Sequence, residues 1–398
     1  MTEPGADSLP RGAAQVSLAT IVREWTRIGC IGFGGPPTHI ALLRRLCVDE
    51  RQWIPAREFE DGVAATNLLP GPASTQLAIF CAWRLRGTAG AVVGGLCFIT
   101  PGLVLILVLA AVFLSSHPPE WILGAAAGAG AAVPAVAVNA ASGLVPASWM
   151  RIGPRRGQHL RWLCYALAGG AAAAVVGPYL VLVLVACGLA EIVIRREHRP
   201  TGPATARAVV PALVGHVAAA GGLGALVWVA FKVGALSYGG GFVIVPLMQH
   251  DAVTTYHWMT GAQFLNAVAL GQVTPGPVVQ TVAVVGYAAG GVTGGLLAAL
   301  VAFAPSFCFV LFGGPRFDQI RANSSVQAFL TGAGPAVIGA IAGSAIPLGL
   351  ALGHLWQLAV LGLAAVWLLA LRRGVVIAII GAGALGVVAV LAGAPFNH

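Results

Sequence analysis

Charge is scarce in this sequence. Asp, Glu, Lys and Arg make up only 9% of the 398 residues, against 58% hydrophobic residues, and Lys232 is the single lysine. A chain so poor in charge cannot clothe a soluble globule, so a soluble enzyme is excluded and a polytopic membrane protein is indicated. Paired cysteine motifs are also missing: the seven cysteines are scattered with no CxxC pair, which excludes a zinc finger or a disulfide framework. HExxH, GxSxG and Walker sequences do not occur, and no cofactor or metal is expected. Residues 1–14 lack the basic-then-apolar pattern of a cleaved leader and read as a mobile tail. The net charge of +9 sits in clusters between apolar runs, which fits positive-inside topology and not nucleic-acid binding.

What the chain does have is a broken apolar segment that occurs twice. Asn67-Leu-Leu-Pro70-Gly71-Pro72-Ala73-Ser74-Thr75-Gln76 returns, 205 positions later, as Gln272-Val-Thr-Pro275-Gly276-Pro277-Val-Val-Gln280-Thr281. Pro70 and Pro275 each end a helix, because proline lacks the backbone donor and clashes with the preceding turn; Pro72 and Pro277 each suit the first turn of a new one. Each copy therefore reads as two short helices meeting head to tail. Unpaired backbone is costly in lipid, so the breaks must be buried in protein or line a wet cavity.

The repetition extends well beyond the breaks. Phe33-Gly34-Gly35 pairs with Tyr238-Gly239-Gly240 and Trp53 with Trp258, while one deletion shifts the offset to 204 and pairs Gly87 with Gly291 and Pro101 with Pro305. This is a duplicated unit. Its halves are expected at 15–194 and 213–398, joined by a cytoplasmic linker at 195–212. Basic residues occupy the loops at 44–57, 84–86 and 151–161 of the first unit, whereas in the second they fall at Arg316, Arg321, Arg372 and Arg373, the counterparts of bare loops. The units are thus expected to lie inverted in the bilayer. The predicted fold is an all-α polytopic membrane protein with an inverted structural repeat, about ten crossings, and two re-entrant or broken Pro-Gly-Pro helices. Residues 44–61 read as a charged loop, and 162–194 as two short crossings. Gly381-Ala-Gly-Ala-Leu-Gly386 matches GxGxxG, but with no preceding strand it reads as close helix packing.

Inverted repeats with broken helices are the architecture of secondary transporters. The helix starts at Ala73, Ser74 and Thr75, and those after Pro277, offer amides and a positive dipole end to an anion. Gly34-Gly35 and Gly239-Gly240-Gly241 add amides that an oxyanion can approach closely. Asn67, Gln76, Gln272, Gln280 and Thr281 supply further polar groups. Arg27 and Lys232 stand at equivalent positions within apolar sequence, where a charge costs ~2.5–3.5 kcal/mol on insertion scales, and are expected to compensate a bound anion. Interfacial roles are the alternative: an i,i+3 salt bridge to Glu24 for Arg27, snorkelling for Lys232. Glu24 and His39 are the candidates for proton coupling.

Phe33-Gly-Gly-Pro36, His39, Trp53, Glu58 to Asp61, Leu69-Pro-Gly-Pro-Ala-Ser-Thr-Gln76, Phe231-Lys-Val-Gly234, Ser237-Tyr-Gly-Gly-Gly241 and Thr274-Pro-Gly-Pro277 together resemble the long-chain, two-domain chromate ion transporter family. The sequence departs from the family pattern at Thr66-Asn67, where Cys-Gln is usual, and at Tyr238, where Phe is usual. The resemblance implies export of chromate, with sulfate as a related oxyanion, across the inner cell membrane, and chromate resistance. A proton as coupling ion and a homodimer are compatible with it; nucleic acid is not an expected partner. A sulfate or other inorganic anion transporter is the alternative within this class. A membrane enzyme or scaffold is the alternative outside it, disfavoured because no nucleophile–base pair falls in the apolar spans.

Overall fold

The computed structural model describes residues 16–66, 71–115, 118–150, 152, 156–176, 180–197, 222–237, 244–313 and 323–395. The predicted tail at 1–14 and most of the linker lie outside them. The described residues form fourteen α-helices. In the first half these are α1 (Leu18–Ile31), α2 (Pro36–Arg44), α3 (Ala56–Thr66), α4 (Ala73–Phe113), α5 (Glu120–Met150), α6 (Arg156–Ala171) and α7 (Leu180–Glu197). The second half has α8 (Leu223–Leu236), α9 (Ile244–Gln249), α10 (Gly261–Val273), α11 (Thr281–Gly313), α12 (Ser324–Leu350), α13 (Leu355–Ala365) and α14 (Val375–Leu391). Four of them, α4, α5, α12 and α11 with the short turn before it, are long and apolar enough to cross a membrane, and α8, α13 and α14 are shorter apolar helices. The chain is therefore read as a multi-pass membrane protein.

Local chemistry sets several helix starts. Ser17 Oγ accepts from the Thr20 amide at 3.1 Å at the head of α1. Thr260 and Gln263 form a reciprocal capping box on α10, with bonds of 3.1 and 2.9 Å. The stretch read as a charged loop is helical instead: α2 widens into a π-turn at Arg45–Glu50, and α3 follows. Phe59, Gly62 and Ala65 are buried at intervals of three while Arg57, Glu60 and Asp61 face outward, so the charges mark the solvated face of an amphipathic helix. The second half repeats this with a π-turn at His250–Thr255, and a left-handed residue follows each turn, Gln52 (φ 50°) and His257 (φ 51°).

Between helices in lipid there is no hydrophobic drive to associate, so close packing of small residues takes its place. A Cβ on Gly29 of α1 would collide with the Phe98 carbonyl of α4, and one on Gly234 of α8 with the Ala302 carbonyl of α11. Trp25 is fully buried between α1 and α4 and donates its indole N–H to the Ala78 carbonyl at 2.8 Å. The GxGxxG stretch lies in α14, where Gly383 and Gly386 pack against the backbone of α5 at Ala125 and Gly124, while Gly381 faces open space.

The breaks fold back on themselves. Glu58 of α3 pairs with Arg84 of α4, and Gly62 lies against Phe80, so residues equidistant from Gly71 meet side by side. A helical hairpin joins the two helices at each tip, because glycine there takes a backbone turn closed to other residues: φ is 120° at Gly71 and 103° at Gly276. A second reversal interrupts α4 at Arg86 and Gly87, and α11 at Gly290 and Gly291, with closely matching dihedrals. Each long helix is thus a short arm from the break plus a longer arm lying against it.

Candidate functional site

Pro72 caps α4, and the first bond of that helix runs from the Gln76 amide to the Pro72 carbonyl at 3.0 Å. The amides of Ala73, Ser74 and Thr75 have no acceptor within the helix, which leaves its positive end at the tip. Pro277 caps a single 3-10 turn, Val278–Gln280, that leads into α11. The second break is one residue tighter, as the shift in repeat offset from 205 to 204 requires.

The two tips are locked into the opposite halves by matching hydrogen bonds. The Gly71 amide donates to the Ser237 carbonyl at 2.5 Å, and the Gly276 amide to the Gly32 carbonyl at 2.9 Å. Gly32 and Ser237 are themselves equivalent residues, each just past the end of the first helix of its half. The Gly32 carbonyl takes a second bond, from His39 Nε2 at 2.8 Å. His39 is fully buried, stands edge-on to Phe98 with ring centroids 5.0 Å apart, and has no partner for Nδ1 among the described residues. The Gly34-Gly35 turn closes on the second break, where a Cβ on Gly35 would reach Val278 at 3.7 Å.

Around these tips polar side chains are buried in number. Ser74, Thr75, Gln76, Gln272, Gln280 and Thr281 are all buried, as are Ser237 and Ser306. Gln280 donates to the Ile99 carbonyl of α4 at 2.8 Å, and Thr281 to the Val278 carbonyl at 2.9 Å. Thr75 Oγ1, Ser237 Oγ, Ser306 Oγ, Gln272 Nε2 and Gln280 Oε1 have no hydrogen-bond partner among the described residues. Buried polar atoms are normally paired, and such a concentration marks a place where a polar ligand or water completes the bonding. Asn67, Pro70, Gly239, Gly240 and Gly241 lie outside the described residues.

The two cations are held differently from the breaks. The Arg27 side chain is 67% exposed and lies 3.8 Å from Glu24, the i,i+3 pairing weighed from the sequence. Glu24 is buried and also faces Arg51, at the end of the first π-turn, at 3.6 Å. Lys232 Nζ is 2.5 Å from Asp251 Oδ2 in the second π-turn and 5.8 Å from the centre of the Trp228 ring. Both cations thus carry a carboxylate. Reading the sequence missed Ser237, Ser306 and Asp251. The signal for the serines was present in the repeat, which pairs Ser237 with Gly32 and Ser306 with Gly102, a hydroxyl opposite no side chain at all. No cluster of three His, Cys, Asp or Glu residues fit to hold a metal occurs among the described residues.

Comparison with known proteins gives a consistent answer. The chromate transporter family matches the chain twice, over residues 19–192 and 224–387. The chain is 32% identical to the chromate transport protein of Cupriavidus metallidurans, with 84% of each chain covered. It is 31% identical to the chromate transport protein of Pseudomonas aeruginosa, over 84% of this chain and 81% of that one. It is 28% identical to the probable chromate transport protein of Synechococcus elongatus, over 86% and 88%. No solved structure matches significantly. With both halves matched, each around its own Pro-Gly-Pro break, the chain belongs to the chromate transporter family.

Proposed function

We propose that the chain is a secondary transporter that exports chromate from the cytoplasm across the inner membrane and confers chromate resistance, with the oxyanion held where the two Pro-Gly-Pro breaks converge. The observation that carries this reading is the pair of matching hydrogen bonds, Gly71 to Ser237 and Gly276 to Gly32, which bring helix starts and buried polar side chains together inside apolar sequence. Dipole ends and hydroxyls arranged in advance suit a tetrahedral anion, and their number suits one that arrives without its water. Relatives named as chromate transport proteins, at about 30% identity, support chromate as the cargo.

In this reading the two units lie inverted, with about ten crossings and two re-entrant hairpins, so that alternating access is a rocking of one unit against the other. Arg27 and Lys232 compensate the dianion when Glu24 and Asp251 release them, and Glu24 and His39 carry the coupling proton. The test is chromate and sulfate flux into proteoliposomes of the purified protein, with and without an imposed pH gradient. Chromate flux driven by the gradient is expected. Sulfate flux alone would make the protein a sulfate transporter, and no flux of either anion would sink the reading.

A further inference from the structure

We propose that the two breaks are not equivalent, and that the oxyanion is held at the Gly71 tip by the hydroxyls of Thr75, Ser237 and Ser306. This rests on the transport reading above and locates its cargo. All three hydroxyl residues are fully buried or within 1% of it, and none of the three oxygens has a hydrogen-bond partner among the described residues. One side-chain contact, one backbone contact and one helix position bring the three residues to this tip. Ser237 accepts the Gly71 amide through its carbonyl. Ser306 Oγ lies 3.4 Å from where a Cβ on Gly71 would stand. Thr75 sits in the first turn of α4, beside the helix start that opens at Pro72.

The Gly276 tip has none of this. At the positions equivalent to Ser237 and Ser306 stand Gly32 and Gly102, and the residues preceding the matching glutamines Gln76 and Gln280 are Ser74-Thr75 in one break and Val278-Val279 in the other. A side chain at either of those positions would meet protein: a Cβ on Gly102 would collide with the Pro275 carbonyl and the Gln280 amide, and one on Gly32 with the His39 ring. Of the buried atoms without partners near this tip, Gln280 Oε1 is an acceptor, His39 Nδ1 is one while the ring is neutral, and Gln272 Nε2 is the one donor. Acceptors repel a fully ionised oxyanion, whereas hydroxyls can turn their protons toward it. Duplication thus supplied two breaks, of which one binds and the other braces.

The experiment is the concentration dependence of chromate uptake by the full chain in proteoliposomes, with sulfate as competitor, for Thr75→Val, Ser237→Ala and Ser306→Ala. Each is expected to raise the chromate KM roughly tenfold or more, the loss of one hydrogen bond to a charged ligand, and to weaken sulfate competition in parallel. Thr75→Ser, which keeps the hydroxyl, is expected to stay within about twofold of the unaltered protein. Ser344→Ala serves as the control, since that buried hydroxyl already bonds the Ile341 carbonyl at 2.7 Å and its loss should leave KM unchanged. Equilibrium binding of labelled chromate to monodisperse protein in detergent replaces uptake for any variant that inserts poorly. Unchanged KM in all three variants, alongside normal uptake by the unaltered protein, overturns the placement while leaving the transport reading intact. Absence of chromate and sulfate flux in the unaltered protein overturns the transport reading, and this placement with it.

Discussion

Lys232 Nζ sits 2.5 Å from Asp251 Oδ2, with the lysine side chain 18% and the aspartate 8% exposed. The pair ties α8 to the π-turn that follows α9. Removing one partner of a buried pair strands the other charge, at about 3–5 kcal/mol, whereas replacing both by neutral isosteres is close to neutral. Lys232→Gln is expected to lower thermal stability in detergent markedly, and Lys232→Gln with Asp251→Asn to restore most of it. Transport then separates the two roles of the lysine. If the double variant carries chromate at the original rate, Lys232 is a brace and not a charge-compensating group; the transport reading expects the double variant to be stable and inactive.

Glu191 makes a second buried cluster, away from the breaks. Its carboxylate accepts from Arg161 Nε at 3.0 Å, Arg195 Nε at 2.9 Å and Tyr165 OH at 3.3 Å, and so clamps α6 to α7. Glu191→Ala is expected to destabilise by roughly 3 kcal/mol, read as a lower unfolding midpoint. The chromate KM of the surviving protein should not move. A shift in KM without a shift in midpoint would contradict a purely structural clamp.

At the tips, Gly71→Val and Gly276→Val force a β-branched residue into positive φ, a strain of about 1–3 kcal/mol before any contact is counted. At Gly71 a Cβ would also strike the Gln76 side chain. Both variants are expected to insert in the membrane at normal levels and to lose transport. Full activity in both would show that neither tip geometry matters to turnover.

Orientation can be read directly from equivalent residues. Glu50 and Thr255 end the two π-turns, are exposed and correspond across the repeat. In a background lacking the seven native cysteines, Glu50→Cys is expected to react with a membrane-impermeant maleimide from the cytoplasmic face and Thr255→Cys from the other. Labelling of both from one face would defeat the inverted arrangement.

How much of this was open to a reading of the sequence depended on whether the cause was local. Proline acts on its own turn, so the helix ends at Val273 and the starts at Ala73 and after Pro277 fall where Pro275, Pro72 and Pro277 require. Helix α3 was hidden because Arg57, Glu58, Glu60 and Asp61 mask the three-residue spacing of Phe59, Gly62 and Ala65. The contacts that hold the hairpins at the tips were hidden for a different reason. The first hairpin is closed by the pair Glu58 and Arg84, and both tips are tied by backbone bonds to the opposite half, partners that carry no sequence signature. The partners of Lys232 and Glu24 went unseen because Asp251 and Arg51 reach them only through the π-turns.

The bond from Gly71 to the Ser237 carbonyl also sets a timetable for biosynthesis. Its acceptor is made roughly 170 residues after its donor, which at 5–20 residues per second is on the order of ten to thirty seconds. During that interval the first half sits in or beside the insertion machinery with its tip unclosed, and the amide of Gly71 must be kept from lipid by a lipid headgroup, water or the machinery itself. A ribosome stalled before codon 237 would therefore leave a product that cannot close its own centre.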